Sequence, residues 1–173
     1  MSNIPYDLTR IKAIIFDVDG VLSKNVIPVS ETGEPLRTAN IKDGYALQLA
    51  VKKGYNIAII TGACTDAIRL RFELLGLQYI YIKSTVKMVD YEDFVRKTNL
   101  RDEEIIYVGD DIPDYEVMQR SGLAVAPADA APEIKAIAGY VSPINGGEGI
   151  AREIIEQVMK AQGIWMSAGA FGW

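Results

Sequence analysis

The chain contains no histidine and a single cysteine, Cys64. That removes Ser-His-Asp hydrolysis, Cys-His nucleophilic pairs and zinc sites built on imidazole. Any acid, base or metal ligand must therefore be a carboxylate, a lysine, a hydroxyl or a backbone group. Basic blocks are also lacking: 18 Lys and Arg stand against 23 Asp and Glu, a formal charge of -5. Nothing is concentrated to neutralise a phosphate backbone, so nucleic acid is not expected as a partner. No run approaches the roughly 20 apolar residues that cross a bilayer, and the positive-then-apolar pattern of a signal segment is missing. A cytoplasmic protein without a membrane partner is expected.

What the chain does have is apolar residues, 49% of 173, enough for one substantial core and too few residues for two full domains. Short branched-aliphatic runs recur at Ala13 to Phe16, Ile57 to Ile60, Tyr79 to Ile82, Ile105 to Val108 and Leu123 to Val125. Between them lie amphipathic stretches at Asp43 to Lys53, Thr65 to Leu75, Val86 to Thr98, Ile112 to Arg120, Ala131 to Ala138 and Gly149 to Gln162, several closed by glycine. This alternation predicts an α/β class, a largely parallel sheet covered by helices in a Rossmann-like three-layer domain over residues 1 to 162. Two regions break the rhythm. Residues 21 to 38 read as a β-hairpin insertion turning at Glu31-Thr32-Gly33-Glu34, too small for a cap domain. Residues 163 to 173 form a tail of glycine and large aromatics, Trp165, Phe171 and Trp173.

Chemistry-bearing residues follow the predicted strands in order. Asp17 and Asp19 come after the first, Thr61 and Gly62 after the second, Lys87 downstream of the third, and Asp110, Asp111 and Asp114 after the fourth. In open α/β sheets ligands bind outside the carboxyl ends of the strands, so these groups are expected to converge. Asp17, Asp19 and Asp110 or Asp111 offer hard oxygen ligands suited to Mg²⁺. The Thr61 hydroxyl, the N–H groups beside Gly62 and the Lys87 ammonium suit a phosphate, with Asp114 placed to orient Lys87 or a metal-bound water. Asp17 can attack phosphorus in line, and Asp19 can protonate the leaving alkoxide and then deprotonate water. A phosphosugar-binding assembly module without turnover is the rival reading of the same anion site.

These residues resemble the motifs of the haloacid dehalogenase-like phosphatase superfamily. Asp17-Val18-Asp19-Gly20-Val21-Leu22 is similar to its first motif, Thr61-Gly62 to its second, Lys87 to its third, and Gly109-Asp110-Asp111-Ile112-Pro113-Asp114 to its fourth. The resemblance implies Asp17 as nucleophile, Asp19 as acid and base, Thr61 and Lys87 on phosphate, and Mg²⁺ held by Asp17, the Asp19 backbone carbonyl and Asp110. A narrower resemblance, to the 3-deoxy-D-manno-octulosonate 8-phosphate phosphatases, covers almost the whole chain. It rests on the 21 to 38 insertion, Asn40-Ile41-Lys42-Asp43-Gly44, Ala138-Gly139-Tyr140-Val141 and Gly146-Gly147-Glu148-Gly149-Ile150-Ala151-Arg152-Glu153. It implies a cap-free homotetramer making the sugar acid of bacterial lipopolysaccharide. The hairpin would sit at the subunit interface and the tail near a neighbour's active site. One position departs from the family: Ala63 stands where an arginine is common, leaving Lys42, Arg69 and Arg71 as candidates for the substrate's carboxylate. A nine-carbon ketodeoxy sugar acid 9-phosphate is the alternative substrate.

Overall fold

The computed structural model describes residues 3 to 172. Six strands form one sheet: β1 (Ala13–Phe16), β2 (Asn56–Ile60), β3 (Tyr79–Tyr81), β4 (Ile105–Val108), β5 (Leu123–Ala126) and β6 (Tyr140–Val141). Every pairing is parallel, and the order across the sheet is β3-β2-β1-β4-β5-β6. Parallel strands buried on both faces need continuous apolar sequence, which is what Ala13-Ile14-Ile15-Phe16 and Ile105-Ile106-Tyr107-Val108 supply. The sixth strand was not expected from sequence, because two residues carry no readable alternation.

Six helices cover the sheet: α1 (Ile41–Lys52), α2 (Asp66–Leu74), α3 (Lys87–Thr98), α4 (Tyr115–Arg120), α5 (Pro132–Ile137) and α6 (Ile150–Ala161). The period of two along each strand divides the core. Ile14, Phe16, Ile57, Ile59, Ile106 and Val108 face the layer of α1, α2 and α6. Ala13, Ile15, Ala58, Ile60, Ile105 and Tyr107 face α3, α4 and α5. Each fully buried isoleucine contributes about 1.5–3 kcal/mol, so these two facing sets dominate the stability of the sheet. Helix starts follow local capping: Asn40 accepts from the Lys42 and Asp43 N–H groups, which moves α1 two residues earlier than its apolar pattern suggests.

The 21 to 38 insertion leaves β1 through a tight turn in which the Val21, Leu22 and Ser23 N–H groups all reach the Val18 carbonyl. Beyond it the chain runs out and back with one antiparallel bridge, Val29 to Pro35. A longer ladder is blocked by Pro28 and Pro35, which have no N–H to donate. Thr38 ties the return to the domain through Ser23 Oγ, with the Thr38 N–H at 3.0 Å.

The tail folds back on its own chain. Lys53 Nζ donates to Ser167 Oγ at 2.8 Å, Tyr45 donates to the Ala170 carbonyl, and the Arg152 guanidinium lies 4.7 Å from the Trp165 ring. Phe171 remains exposed; Trp173 lies outside the described residues. No helix among the described residues is long and apolar enough to cross a membrane.

Candidate active site

The strand order reverses across β1, which has β2 on one side and β4 on the other. The carboxyl ends of these strands therefore open the crevice where α/β folds bind ligands, and the chain places its charged residues there. Asp17 follows β1 directly, and its backbone N–H completes the ladder by donating to the Val108 carbonyl. Asp110 follows β4 by one glycine, and Thr61 follows β2, buried, with its N–H on the Tyr81 carbonyl.

Lys87 is the first residue of α3 and only 6% exposed, which sets it apart from an ordinary helix lysine. Its ammonium lies 2.6 Å from Asp17 Oδ2 and 2.6 Å from Asp114 Oδ1. Burial works against that charge, yet the two carboxylates outweigh it and raise the lysine above its ordinary value. Asp17 is pushed up to about 7, first by burial and then by the charge of Asp114, with Lys87 opposing. Asp110 is pushed up to about 8, again by burial first and then by Asp17 and Asp114. Carboxyls held this far above the usual range are short of positive charge.

Asp17, Asp110 and Asp114 each offer a carboxylate oxygen within 4.8 Å of the others, and all three are buried. Hard oxygens in such a group fit a divalent cation such as Mg²⁺. The backbone makes room for it: Gly20 has φ +79, and a Cβ there would lie 1.9 Å from Asp110 Oδ2. Asp114 is already engaged. Its Oδ1 accepts from Lys87 and from the Tyr107 hydroxyl at 2.7 Å, and its Oδ2 accepts from the Asp110 N–H at 3.2 Å. Its contacts tie Lys87 and the loop after β4 together.

Asp19 stands apart from this group. Its carboxylate turns toward the insertion, where Arg37 Nε reaches Oδ1 at 2.8 Å and Nη2 reaches Oδ2 at 3.0 Å. The Asp19 carboxylate is thereby turned away from the group formed by Asp17, Asp110 and Asp114. Asp111 is exposed and caps the turn after β4 by accepting from the Ile112 N–H. Gly62 is exposed in a loop, since α2 begins four residues later at Asp66 with Thr65 as its cap, so the N–H groups beside Gly62 belong to that loop and not to the first turn of the helix. The Thr61 hydroxyl accepts from the Ala63 N–H at 3.2 Å.

A groove of about 380 Å³ runs from Val18 under the insertion to α1 and α2, lined by Arg37, Asp43, Leu47, Ile68, Arg71 and Phe72 among others. Arg71 is thus brought beside the site, its Nη2 lying 2.6 Å from where a Gly44 Cβ would be. Arg69, two residues earlier on α2, projects from a different face of the helix. Lys42 is exposed on the first turn of α1 and lines a separate groove with Glu148 and Arg152. Sequence reasoning missed the role of Arg37 and the burial of Asp43. The first is a contact across an 18-residue turn with no periodic signal. Asp43 could have been found from its place on the apolar side of α1.

The buried acids, the lysine and the strand ends together define a haloacid dehalogenase-like hydrolase, and the family model of that description matches residues 76–154. The 3-deoxy-D-manno-octulosonate 8-phosphate phosphatase KdsC of Salmonella typhimurium is 38% identical over 92% of this chain and 86% of its own length. The chain belongs to the 3-deoxy-D-manno-octulosonate 8-phosphate phosphatase family. The Yersinia pestis phosphatase of that name has a crystal structure that superposes with a TM-score of 0.87 at 35% identity, covering 91% of this chain and 85% of that one. The Moraxella catarrhalis phosphatase, in complex with magnesium, phosphate and a KDO molecule, superposes with a TM-score of 0.85 at 28% identity over 91% of this chain and 90% of that one.

Proposed function

We propose that this protein hydrolyses 3-deoxy-D-manno-octulosonate 8-phosphate to the free sugar acid and phosphate, a Mg²⁺-dependent step of lipopolysaccharide precursor synthesis. The observation that carries the proposal is the buried meeting of Asp17, Asp110, Asp114 and Lys87 at the strand ends, in a member of this phosphatase family.

Asp17 attacks phosphorus, and the bond from phosphorus to the sugar oxygen breaks as an aspartyl phosphate forms. Asp19 gives its proton to the departing alkoxide, then takes one from the water that attacks the same phosphorus and frees Asp17. Lys87 and the Thr61 hydroxyl hold phosphoryl oxygens, the lysine fixed from behind by Asp114. Asp17, Asp110 and the Asp19 carbonyl would hold Mg²⁺, which would supply positive charge where the phosphoryl oxygens crowd the carboxylates. Arg71 is the best placed of the three basic candidates to meet the sugar acid, since it lines the groove leading from Val18.

The working form is a homotetramer with active sites near subunit interfaces, a reading supported by the apolar residues Val26, Val29 and Leu36 that the insertion leaves exposed. An exposed, unpaired Cys64 suits the reducing cytoplasm. Phosphate release from a panel including the eight-carbon and nine-carbon acids and simple hexose phosphates tests the substrate. Preference for either of the latter would overturn it. Asp17→Asn should abolish turnover while leaving the circular dichroism spectrum intact; near-normal turnover would refute the nucleophile.

A further inference from the structure

Gly44 closes the first turn of α1 and is buried. Its backbone is ordinary helix: the N–H donates to the Asn40 carbonyl at 3.0 Å, and φ is not positive. A glycine so placed makes the helix less stable than alanine would and has no use for its conformational freedom. What sets the position apart is the space beside it. A Cβ on Gly44 would lie 2.6 Å from Arg71 Nη2, 3.7 Å from Arg71 Cζ and 3.9 Å from Leu75 Cδ1. The last two are ordinary contacts, so the tip of the guanidinium alone occupies the room a side chain would take.

Gly44 and Arg71 both line the groove that runs from Val18. Arg37 borders the same groove, but its Nε and Nη2 are taken by the two oxygens of Asp19. Arg71 is half-buried and has no hydrogen bond or ion pair among the described residues. The groove residues Leu47, Ile68 and Phe72 are apolar and offer it no counter-charge. The guanidinium is therefore seated against the bare backbone of α1, and its donors are left for an anion that enters the groove.

We propose that Gly44 is a positioning residue for substrate selection: by leaving out a side chain it seats the Arg71 guanidinium where it meets the carboxylate of the sugar acid phosphate. The inference rests on the reading that Arg71 binds this carboxylate, and deepens it. Any side chain at position 44 drives the guanidinium back by about 1 Å to reach an ordinary contact distance. A paired contact between guanidinium and carboxylate depends on alignment, and a displacement of that size spoils it. The attack on phosphorus takes place at Asp17 and Lys87, on other elements, so the effect falls on binding of the acid. The stability that α1 gives up at Gly44 is exchanged for that placement.

The test uses the full-length protein with Mg²⁺, melting curves, and two substrates, 3-deoxy-D-manno-octulosonate 8-phosphate and p-nitrophenyl phosphate. Gly44→Ala should raise the melting temperature by about 1–4 °C, because alanine is the better helix former and only a flexible arginine tip has to yield. The same variant should raise KM for the sugar acid phosphate roughly 5- to 20-fold with kcat little changed. The ratio of its kcat/KM to that of p-nitrophenyl phosphate, which has no carboxylate, should fall by a similar factor. Arg71→Met should raise KM at least as much, and in the double variant Gly44→Ala should add less than about twofold, since the guanidinium it displaces is gone. If Arg71→Met raises KM and Gly44→Ala does not, or if the two losses multiply in the double variant, Gly44 does not act through Arg71 and this inference alone fails. A lower melting temperature for Gly44→Ala, or equal losses with both substrates, places the effect in the fold and also overturns it. An unchanged KM in Arg71→Met, or a wild-type protein that does not turn over the sugar acid phosphate, removes the reading beneath the inference and the inference with it.

Discussion

Three carboxyls and one lysine in a buried space give the site its character, and their protonation decides how it meets a metal. Asp17 at about 7 and Asp110 at about 8 lie above the ordinary 3.8 because burial and mutual repulsion favour the neutral form. From about pH 4 upward the unfolded carboxyls ionise while the folded ones keep their protons, so the unfolded chain binds fewer protons and stability falls as pH rises. The favourable contribution is complete below the unfolded value and is gone once pH has passed the folded values, near 7 and 8. A divalent cation reverses this, because it binds the ionised carboxylates and displaces the protons. Mg²⁺ should therefore raise the thermal midpoint little at about pH 5 and strongly at about pH 8.5. Melting curves with and without Mg²⁺ at both values check this. An equal shift at the two pH values, or none, would contradict the assignment of Asp17 and Asp110 as ligands.

Between elements, the junction of α1 with α6 rests on one buried carboxylate. Helix α6 follows Gly149, φ +116, which offers no side-chain cap, and the N–H of Arg152 in its first turn is taken instead by Asp43 Oδ1 at 2.7 Å. The other oxygen of Asp43 is buried without a hydrogen-bond partner, and burial pushes this carboxyl up to about 6. Asp43→Ala should cost about 1–2 kcal/mol in urea unfolding, the range for losing a helix cap. Asp43→Asn keeps an oxygen for Arg152 and cannot ionise, so relative to the wild type it should gain stability as pH rises from about 4 to about 6, the window in which the unfolded carboxyl has ionised and the native one resists. Equal losses for both substitutions at both pH values would mean that Asp43 matters only as packing. Elements of this kind were legible in unequal measure. Strands such as Ala13-Ile14-Ile15-Phe16 announce themselves because burial on both faces demands an unbroken apolar run. The positions of Asp17, Thr61, Lys87 and Asp110 follow once those strand ends are known. The partnership of Arg37 with Asp19 does not, because it depends on the path of an insertion whose turns are set by prolines and a few polar bonds.

At the scale of the whole molecule, one domain covers its core but leaves its insertion uncovered. Val26 is 90% exposed, Val29 63% and Leu36 52%, and all three lie on a loop that one antiparallel bridge closes. Exposed apolar residues grouped on a projecting segment cost little singly, but together they invite burial against another surface. An unfinished strand pair also presents unpaired backbone groups that a second copy can satisfy, and the symmetry of homo-oligomers makes such a contact self-complementary. The same segment carries Arg37, so packing it against neighbours would fix the guanidinium that holds the Asp19 carboxylate. Replacing Val26 and Val29 together by aspartate should therefore do two things. Light scattering should show a smaller species than the wild-type protein, since like charges would meet at each contact. Turnover of the sugar acid phosphate should fall with assembly, while the far-ultraviolet circular dichroism of the monomer stays that of an α/β domain, because neither valine belongs to the core. A wild-type protein that runs as a monomer, or a double variant that assembles as before, would remove the insertion from the interface.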